Sequence, residues 1–307
     1  MGLLQRSPWL YFVGSAIFHY LGPAFAVLLF ARIPPLGVAG LRIWSAGVVL
    51  AMWCRPWRAY ARLGAGGRRD VVALGAVLAA MNACFYLSIA RLPMGTVAAI
   101  EFLPVIALAA VGARTGRNLA ALAGAVAGVY LLTDIRLAGN VTAFVFAFAN
   151  AALFAAYIVL AHRVAQRLKG LDGLALAMLA ASAFILPVSL LPAGPALGDI
   201  TLLGAAIGVG ITSSVIPYVC DQLAMARMSR STYALLVALL PATATVIGVL
   251  VLRQVPSVVE VAGVGLVVCA VALHKGTHSE RRDHEVREPG IVGPEGVADL
   301  PRHDELR

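Results

Sequence analysis

Apolar runs of about 18 to 23 residues recur along almost the whole chain, each long enough for a helix to cross about 30 Å of hydrocarbon. The breaks between them are short and carry Arg, Gly, Pro or Asp. No water reaches the backbone inside a bilayer, so only α-helices or closed barrels satisfy its N–H and C=O groups there. A barrel would show segments of about ten residues alternating in polarity, whereas these runs are continuous. The reading is an all-α integral membrane protein with about ten transmembrane helices, over residues 9–30, 36–53, 71–90, 94–113, 119–133, 141–161, 174–191, 201–223, 232–252 and 258–274. Composition agrees: of 307 residues, 61% are hydrophobic and 13% charged, with a mean hydropathy of +0.88. Soluble domains are about 45–50% apolar and about 25% charged, so a soluble domain is excluded.

The net charge of +9 does not point to nucleic acid, because the basic residues sort by loop. With the N-terminus inside, inner loops hold sixteen Lys and Arg, among them Arg55, Arg58, Arg62, Arg68 and Arg69. Outer loops hold four: Arg32, Arg91, Arg136 and Arg253. That bias marks cytoplasmic loops, so both termini are expected in the cytoplasm of a bacterial inner membrane. The first run follows a single Arg6 and lacks a small-residue cleavage site, so it reads as a retained span and not a signal peptide. The basic stretch 55–70, with Gly64, Gly66 and Gly67, reads as a flexible connection and not a phosphate loop. Cys54, Cys84, Cys220 and Cys269 show no metal-ligand spacing and read as small packing residues; no cofactor is expected.

Against this apolar background the polar residues stand out. Glu101 lies inside the fourth run, where a carboxylate costs roughly 2.5 to 3.5 kcal/mol on insertion scales and therefore faces a cavity or a partner. Arg42, in the second run, lies at a similar depth, so the two can pair if their helices are neighbours. Asn82 and Tyr86 are four residues apart on the third run and share a face. In the first run His19 and Tyr20 precede Gly22 and Pro23, a pattern that predicts an interrupted helix lining a cavity, with His19 as a candidate for proton or solute contact. The second half offers Asn150 and Tyr157, then Thr212, Ser213 and Ser214 just before Pro217, where freed carbonyls can meet a solute. Asp221 is expected to pair with Arg227. The candidate substrate or proton site is thus Glu101, Arg42, Asn82, Tyr86, His19, Asn150, Tyr157, Ser213 and Ser214.

Two weaker patterns concern assembly. Ala120, Gly124 and Gly128 make one smooth face on the fifth run, and Gly263 and Gly265 a comparable one on the tenth, so these helices are expected to pack, within the chain or across a homodimer. Ala90, Arg91, Gly95 and Pro104 also correspond to Ala226, Arg227, Ser231 and Pro241. Five spans per half is an odd number, so the second half would enter from the opposite side, as an inverted repeat. The expected parts are a first five-helix repeat over 1–139, a second over 140–274 and a disordered cytoplasmic tail over 275–307.

Met81, Asn82, Phe85, Tyr86, Leu87, Ser88 and Ile89, followed by Pro93, Gly95, Ala99, Glu101 and Phe102, closely resemble the third and fourth spans of EamA-type carriers of the drug/metabolite transporter superfamily, in the variant found in threonine and homoserine exporters. Gly40, Leu41 and Arg42, then Ala155 and Tyr157, and Pro241 fit the second, sixth and ninth spans of that family. The chain has Leu240 where the family often has an acid, and Arg253 and Gln254 where it often has Gly and Glu. The resemblance implies ten helices in two inverted repeats and a secondary carrier that moves a small metabolite, an amino acid such as threonine or homoserine, out of the cytoplasm in exchange for protons. The alternative is export of another solute, a drug or a nucleotide-linked metabolite. An intramembrane enzyme would need a nucleophile with its base or a metal set, and neither a His-Glu-His cluster nor a Gly-Ser-Gly elbow is present. A structural subunit has no use for charges at matched depth. The expected partners are a small-molecule substrate, protons, the bilayer and a second copy of the chain, with no nucleic acid.

Overall fold

The computed structural model describes residues 8–104, 106–107, 115–134, 140–168, 171–225 and 239–273. Over them the chain is α1 (Pro8–Leu29), α2 (Pro35–Cys54), α3 (Trp57–Arg62), α4 (Ala65–Ile89), α5 (Met94–Glu101), α6 (Gly116–Asp134), α7 (Val141–Arg167), α8 (Asp172–Ser189), α9 (Gly194–Leu197), α10 (Ile200–Gly210), a π-helical turn (Ile211–Val215), α11 (Ile216–Met225), α12 (Leu240–Leu252) and α13 (Val258–Leu273). Among the described residues, six helices are long and apolar enough to cross a membrane, and α6, α12 and α13 are shorter apolar ones. The protein is an all-α, multi-pass membrane protein.

Helix starts follow from residues that need no intrahelical donor or that supply an acceptor. Pro35 opens α2 and Pro93 precedes α5, positions where a missing N–H costs nothing. Asp199 caps α10, accepting from Thr201 N at 2.9 Å and Leu202 N at 3.2 Å. Ser257 and Glu260 form a reciprocal box at the start of α13: Ser257 N donates to Glu260 Oε2 at 2.8 Å and Glu260 N to Ser257 Oγ at 3.2 Å.

Four sequence expectations change. The first helix is not interrupted: α1 runs unbroken through Pro23. The stretch 55–70 is not a flexible connection, because α3 and the first turn of α4 make most of it helical, with Gly66 and Gly67 inside α4. The fourth run is not one continuous helix: α5 ends at Glu101, and Phe102, still in the right-handed helical region, separates it from helical residues 103–104 and 106–107. The discontinuity expected in α1 falls instead in the eighth run, as the π turn between α10 and α11. Ala226, Arg227 and Ser231, the Asp221–Arg227 pair and the tail lie outside the described residues or side chains.

Packing joins the two halves throughout. α4 packs along α7, α6 along α13, α2 along α8, α5 along α12, and α1 along α11; in addition α1 meets α12, α5 meets α7, α8 meets α4, and α10 meets α2. The fifth and tenth runs do meet within the chain, through Gly128 and Gly263, whereas Gly265 has open space at its Cβ position and takes no part. A Cβ on Gly128 would lie 2.7 Å from Gly263 O, and one on Gly263 would lie 2.9 Å from Gly128 O, so the α6 and α13 backbones touch because neither has a side chain.

Two apolar cores result. One contains Ile100, Phe102, Ala147 and Ala151 with residues of α6, α12 and α13; the other contains Leu41, Ile43, Leu78 and Tyr86 with residues of α8 and α10. Phe30 and Phe85 pack against both. Side-chain contacts also tie chain ends together: Arg32 meets Asp199 at 3.9 Å and Met94 N donates to Gln254 Oε1 at 3.2 Å, while Arg167 meets Asp70 at 3.2 Å and Arg117 Nε donates to Leu273 O at 2.6 Å.

Candidate functional site

The site begins with a proline. Pro217 has no N–H, so the carbonyl four residues back, Ser213 O, loses its ordinary α-helical partner. At that point the helix takes the π turn Ile211–Val215. The carbonyl is satisfied from another helix: Arg42 Nη2 donates to Ser213 O at 3.2 Å, and Arg42 Nε donates to Ser214 Oγ at 3.2 Å. Two glycines make the approach possible. A Cβ on Gly22 would lie 2.7 Å from Ser213 Cα, and one on Gly210 would lie 2.8 Å from Arg42 O, so α1 and α2 both press directly on this turn. Gly22 serves close approach, which explains why its motif with Pro23 does not break α1.

Around Arg42 the bonding is dense and neutral. Arg42 Nη1 donates to Asn82 Oδ1, and Asn82 Nδ2 donates to Leu78 O at 2.8 Å, which fixes the amide. The guanidinium lies 5.5 Å from the centre of the Tyr86 ring. Asn82 and Tyr86 therefore act from one face of α4, as their spacing predicts. A guanidinium has five N–H donors; Asn82, Ser213 and Ser214 occupy three, leaving two unused among the described residues. Arg42 is 9% exposed and Tyr86 fully buried.

The carboxylate is held separately. Glu101 Oε1 accepts from Asn150 Nδ2 at 3.2 Å, joining α5 to α7. The expected ion pair is not formed among the described residues: Glu101 and Arg42 stay within Coulombic reach but make no bridge. The reason is packing. α2 lies on α4, α8 and α10, whereas α5 lies on α7, α12 and α13, so matched depth did not make them neighbours. The anion sits between Ile100 and Phe102 of one core and the cation between Leu41 and Ile43 of the other. Leaving two such charges unpaired in an apolar bundle is costly unless a ligand completes them.

The remaining candidates frame these charges. His19, half-buried on α1, meets Tyr20 edge-on at 5.2 Å and lies within reach of the Arg42 charge. Tyr20 was not singled out from the sequence as a site residue, yet its side chain is buried and within reach of Glu101. Tyr157 stacks on Phe154 at 5.9 Å, and Phe154 meets Phe102 edge-on at 6.3 Å, so a chain of aromatic rings leads from Tyr157 to the residue after Glu101. Ser213 Oγ donates back to Val209 O at 2.6 Å, while its carbonyl takes the Arg42 Nη2 bond. Two buried polar atoms here have no hydrogen-bond partner among the described residues: the Tyr20 hydroxyl and Asn150 Oδ1. Because buried polar groups are almost always paired, these two atoms beside two charges leave polar capacity that a guest could take up.

Comparison with known proteins bears on this arrangement. Residues 141–274, which contain Asn150 and the π turn, match the EamA-like transporter family. That match takes in the second half of the chain. Over 273 residues, 88% of this chain and 91% of the relative, the chain is 27% identical to the threonine/homoserine exporter RhtA of Escherichia coli K12. It is likewise 27% identical over 275 residues to the exporter RhtA of Salmonella typhimurium LT2, with the same coverage of both chains. A solved crystal structure of another protein, 21% identical, covers 88% of this chain and 97% of its own with a TM-score of 0.56, a likeness of fold. Family and relatives are transporters and not enzymes.

Proposed function

We propose that this chain is a secondary carrier that exports threonine, homoserine or closely related amino acids by alternating access, in exchange for protons. The observation that carries the reading is a cation and a carboxylate buried in one bundle, each bonded to neutral partners and neither to the other. A zwitterionic amino acid supplies what both lack. Its carboxylate fits the Arg42 guanidinium, and its ammonium fits Glu101 and Asn150 Oδ1. The Tyr20 hydroxyl, near Glu101, is a ready partner for the hydroxyl that threonine and homoserine carry. Protonation of Glu101 from outside would remove the charge that holds the ammonium and favour release. The similarity to RhtA exporters over 88% of the chain supports the substrate class.

The carrier reading includes ten spans in two inverted five-helix repeats, 1–139 and 140–274. Its support is the packing pattern. If the first five spans are exchanged for the second five, the α4–α7 pair becomes α1–α11, α1–α12 becomes α5–α7, and α8–α4 becomes α2–α10, and all six pairs are present. The ties between chain ends agree: Arg32 with Asp199 and Met94 with Gln254 join loops assigned to one face, and Arg167 with Asp70 and Arg117 with Leu273 join those assigned to the other. The Arg-rich face is taken as cytoplasmic in a bacterial inner membrane, with both termini there, and a homodimer is the proposed assembly.

Counterflow of labelled amino acids in proteoliposomes tests the substrate class. Exchange of threonine and homoserine above that of alanine or lysine is the expected result. Exchange of none of them by folded protein rejects it in favour of another solute.

A further inference from the structure

At the end of α2 the chain builds a second charged site, separate from the central one. Arg55 ends α2 in the left-handed region, with φ 50° and ψ 55°, and Pro56 follows, so the chain turns sharply into α3. α3 lies over the N-terminal end of α8, and the cleft between them, about 600 Å³, is lined by Cys54, Arg55, Trp57, Arg58, Arg62 and Asp172. Among the described residues no hydrogen bond or ion pair engages the guanidinium of Arg55, Arg58 or Arg62, although all three border one space. Neighbouring charges are spoken for: Arg167 pairs with Asp70 at 3.2 Å, and Arg68 lies 5.1 Å from the Tyr60 ring while donating to Ala61 O at 3.4 Å. Asp172 is the one acid in the lining, so three cations face one anion.

The surroundings decide what such a cleft takes. Directly beside it, on the last turn of α2, Met52 and Trp53 are 66% and 61% exposed, and Trp57 on α3 is 54% exposed. They form an apolar surface where α2, a membrane-crossing helix, reaches the bilayer boundary. Tryptophan is favoured at that depth, and clusters of Arg there attract acidic lipids. A soluble phosphate would use the arginines and leave this apolar rim in water. A phospholipid uses both, with its phosphate between the arginines and its acyl chains along Met52 and Trp53.

We infer that the cleft of Arg55, Arg58 and Arg62 is a binding site for the headgroup of an anionic phospholipid. Bound there, the lipid clamps α3 to the ends of α2 and α8, two helices of the core that surrounds Arg42. The site is independent of the transported solute.

Native mass spectrometry on the full chain in neutral detergent, with equal amounts of phosphatidylglycerol and phosphatidylcholine, tests this. Native protein should retain phosphatidylglycerol at least ten-fold over phosphatidylcholine. Arg58→Gln/Arg62→Gln should lose that preference, while Arg163→Gln, whose side chain is not in the cleft, should keep it. If the double variant does not fold, Arg62→Gln alone should reduce the preference several-fold. No preference in native protein, an unchanged preference in the variants, or glycerol phosphate displacing the lipid with equal affinity would each overturn the assignment, the last in favour of a soluble phosphate.

Discussion

Arg42 on α2 donates through Nη2 to the carbonyl of Ser213, 171 residues later, at 3.2 Å, and that carbonyl is the one Pro217 leaves without an α-helical donor. A helix defect in one half of the chain is thus closed by a charge from the other. Removing the guanidinium leaves Ser213 O, Ser214 Oγ and Asn82 Oδ1 each short of a donor, at about 1 to 3 kcal/mol for a buried group. Arg42→Ala is expected to lower stability in detergent by about 3 kcal/mol or more and to abolish exchange. Arg42→Lys keeps the charge but cannot reach three partners from one plane, so it should fold better than Arg42→Ala and still transport poorly. Thermal unfolding and counterflow on the same preparations check both.

Close contact at the π turn predicts a sharp contrast among glycines. A methyl group on Gly22 would strike the Ser213 backbone, and overpacking of this kind costs about 1 to 3 kcal/mol. Gly204 on α10 has open space around its Cβ position, and Ala is the better helix former by about 1 kcal/mol. Gly22→Ala should therefore lower the unfolding temperature and slow exchange, whereas Gly204→Ala should leave exchange intact and raise or preserve the unfolding temperature.

The α6–α13 contact is a second such test, remote from the charges. Gly128→Val places a branched side chain against Gly263 O and Val267, and it should destabilise by about 1 to 3 kcal/mol. The apparent affinity for substrate in the surviving folded fraction should not change. A changed affinity would mean that this helix pair takes part in the site.

Asn150 uses one side of its amide on Glu101 and leaves the other unpaired. Asn150→Asp puts a second carboxylate against Glu101, and the two cannot both ionise at short range without mutual cost. A neighbouring carboxylate favours the protonated form, so exchange by Asn150→Asp should shift to higher external pH than in native protein, seen in the pH profile of counterflow; Asn150→Ala, which removes a donor to the Glu101 carboxylate, should weaken substrate affinity with a smaller shift in the same direction.

Much of this site was legible from residue spacing, because spacing within one helix is geometry. Asn82 and Tyr86, four apart, do meet Arg42 together, and the fifth and tenth runs do touch through Gly128 and Gly263. What spacing does not contain is which helices are neighbours. Arg42 and Glu101 have similar depth, but α2 and α5 pack on different partners, so the ion pair was not there to find. The Gly22–Pro23 motif has the same appearance whether it breaks a helix or lets a backbone come close, and only the partner, Ser213, distinguishes them. Tyr20 looked like one more aromatic in an apolar run; its importance lies in an unpaired hydroxyl near Glu101, a property of the folded chain. The Ser213 carbonyl, by contrast, follows directly from Pro217 four residues later.

The central claim, that Glu101 is the carboxylate through which solute and proton exchange, is tested most directly by one comparison. Proteoliposomes containing native protein or Glu101→Gln, which retains an acceptor for Asn150, are loaded with labelled threonine and given an outward-to-inward proton gradient. Native protein should expel threonine in proportion to the gradient, and Glu101→Gln, equally folded and inserted, should show none of that gradient-driven efflux. Gradient-driven efflux by Glu101→Gln at the native rate would contradict the account.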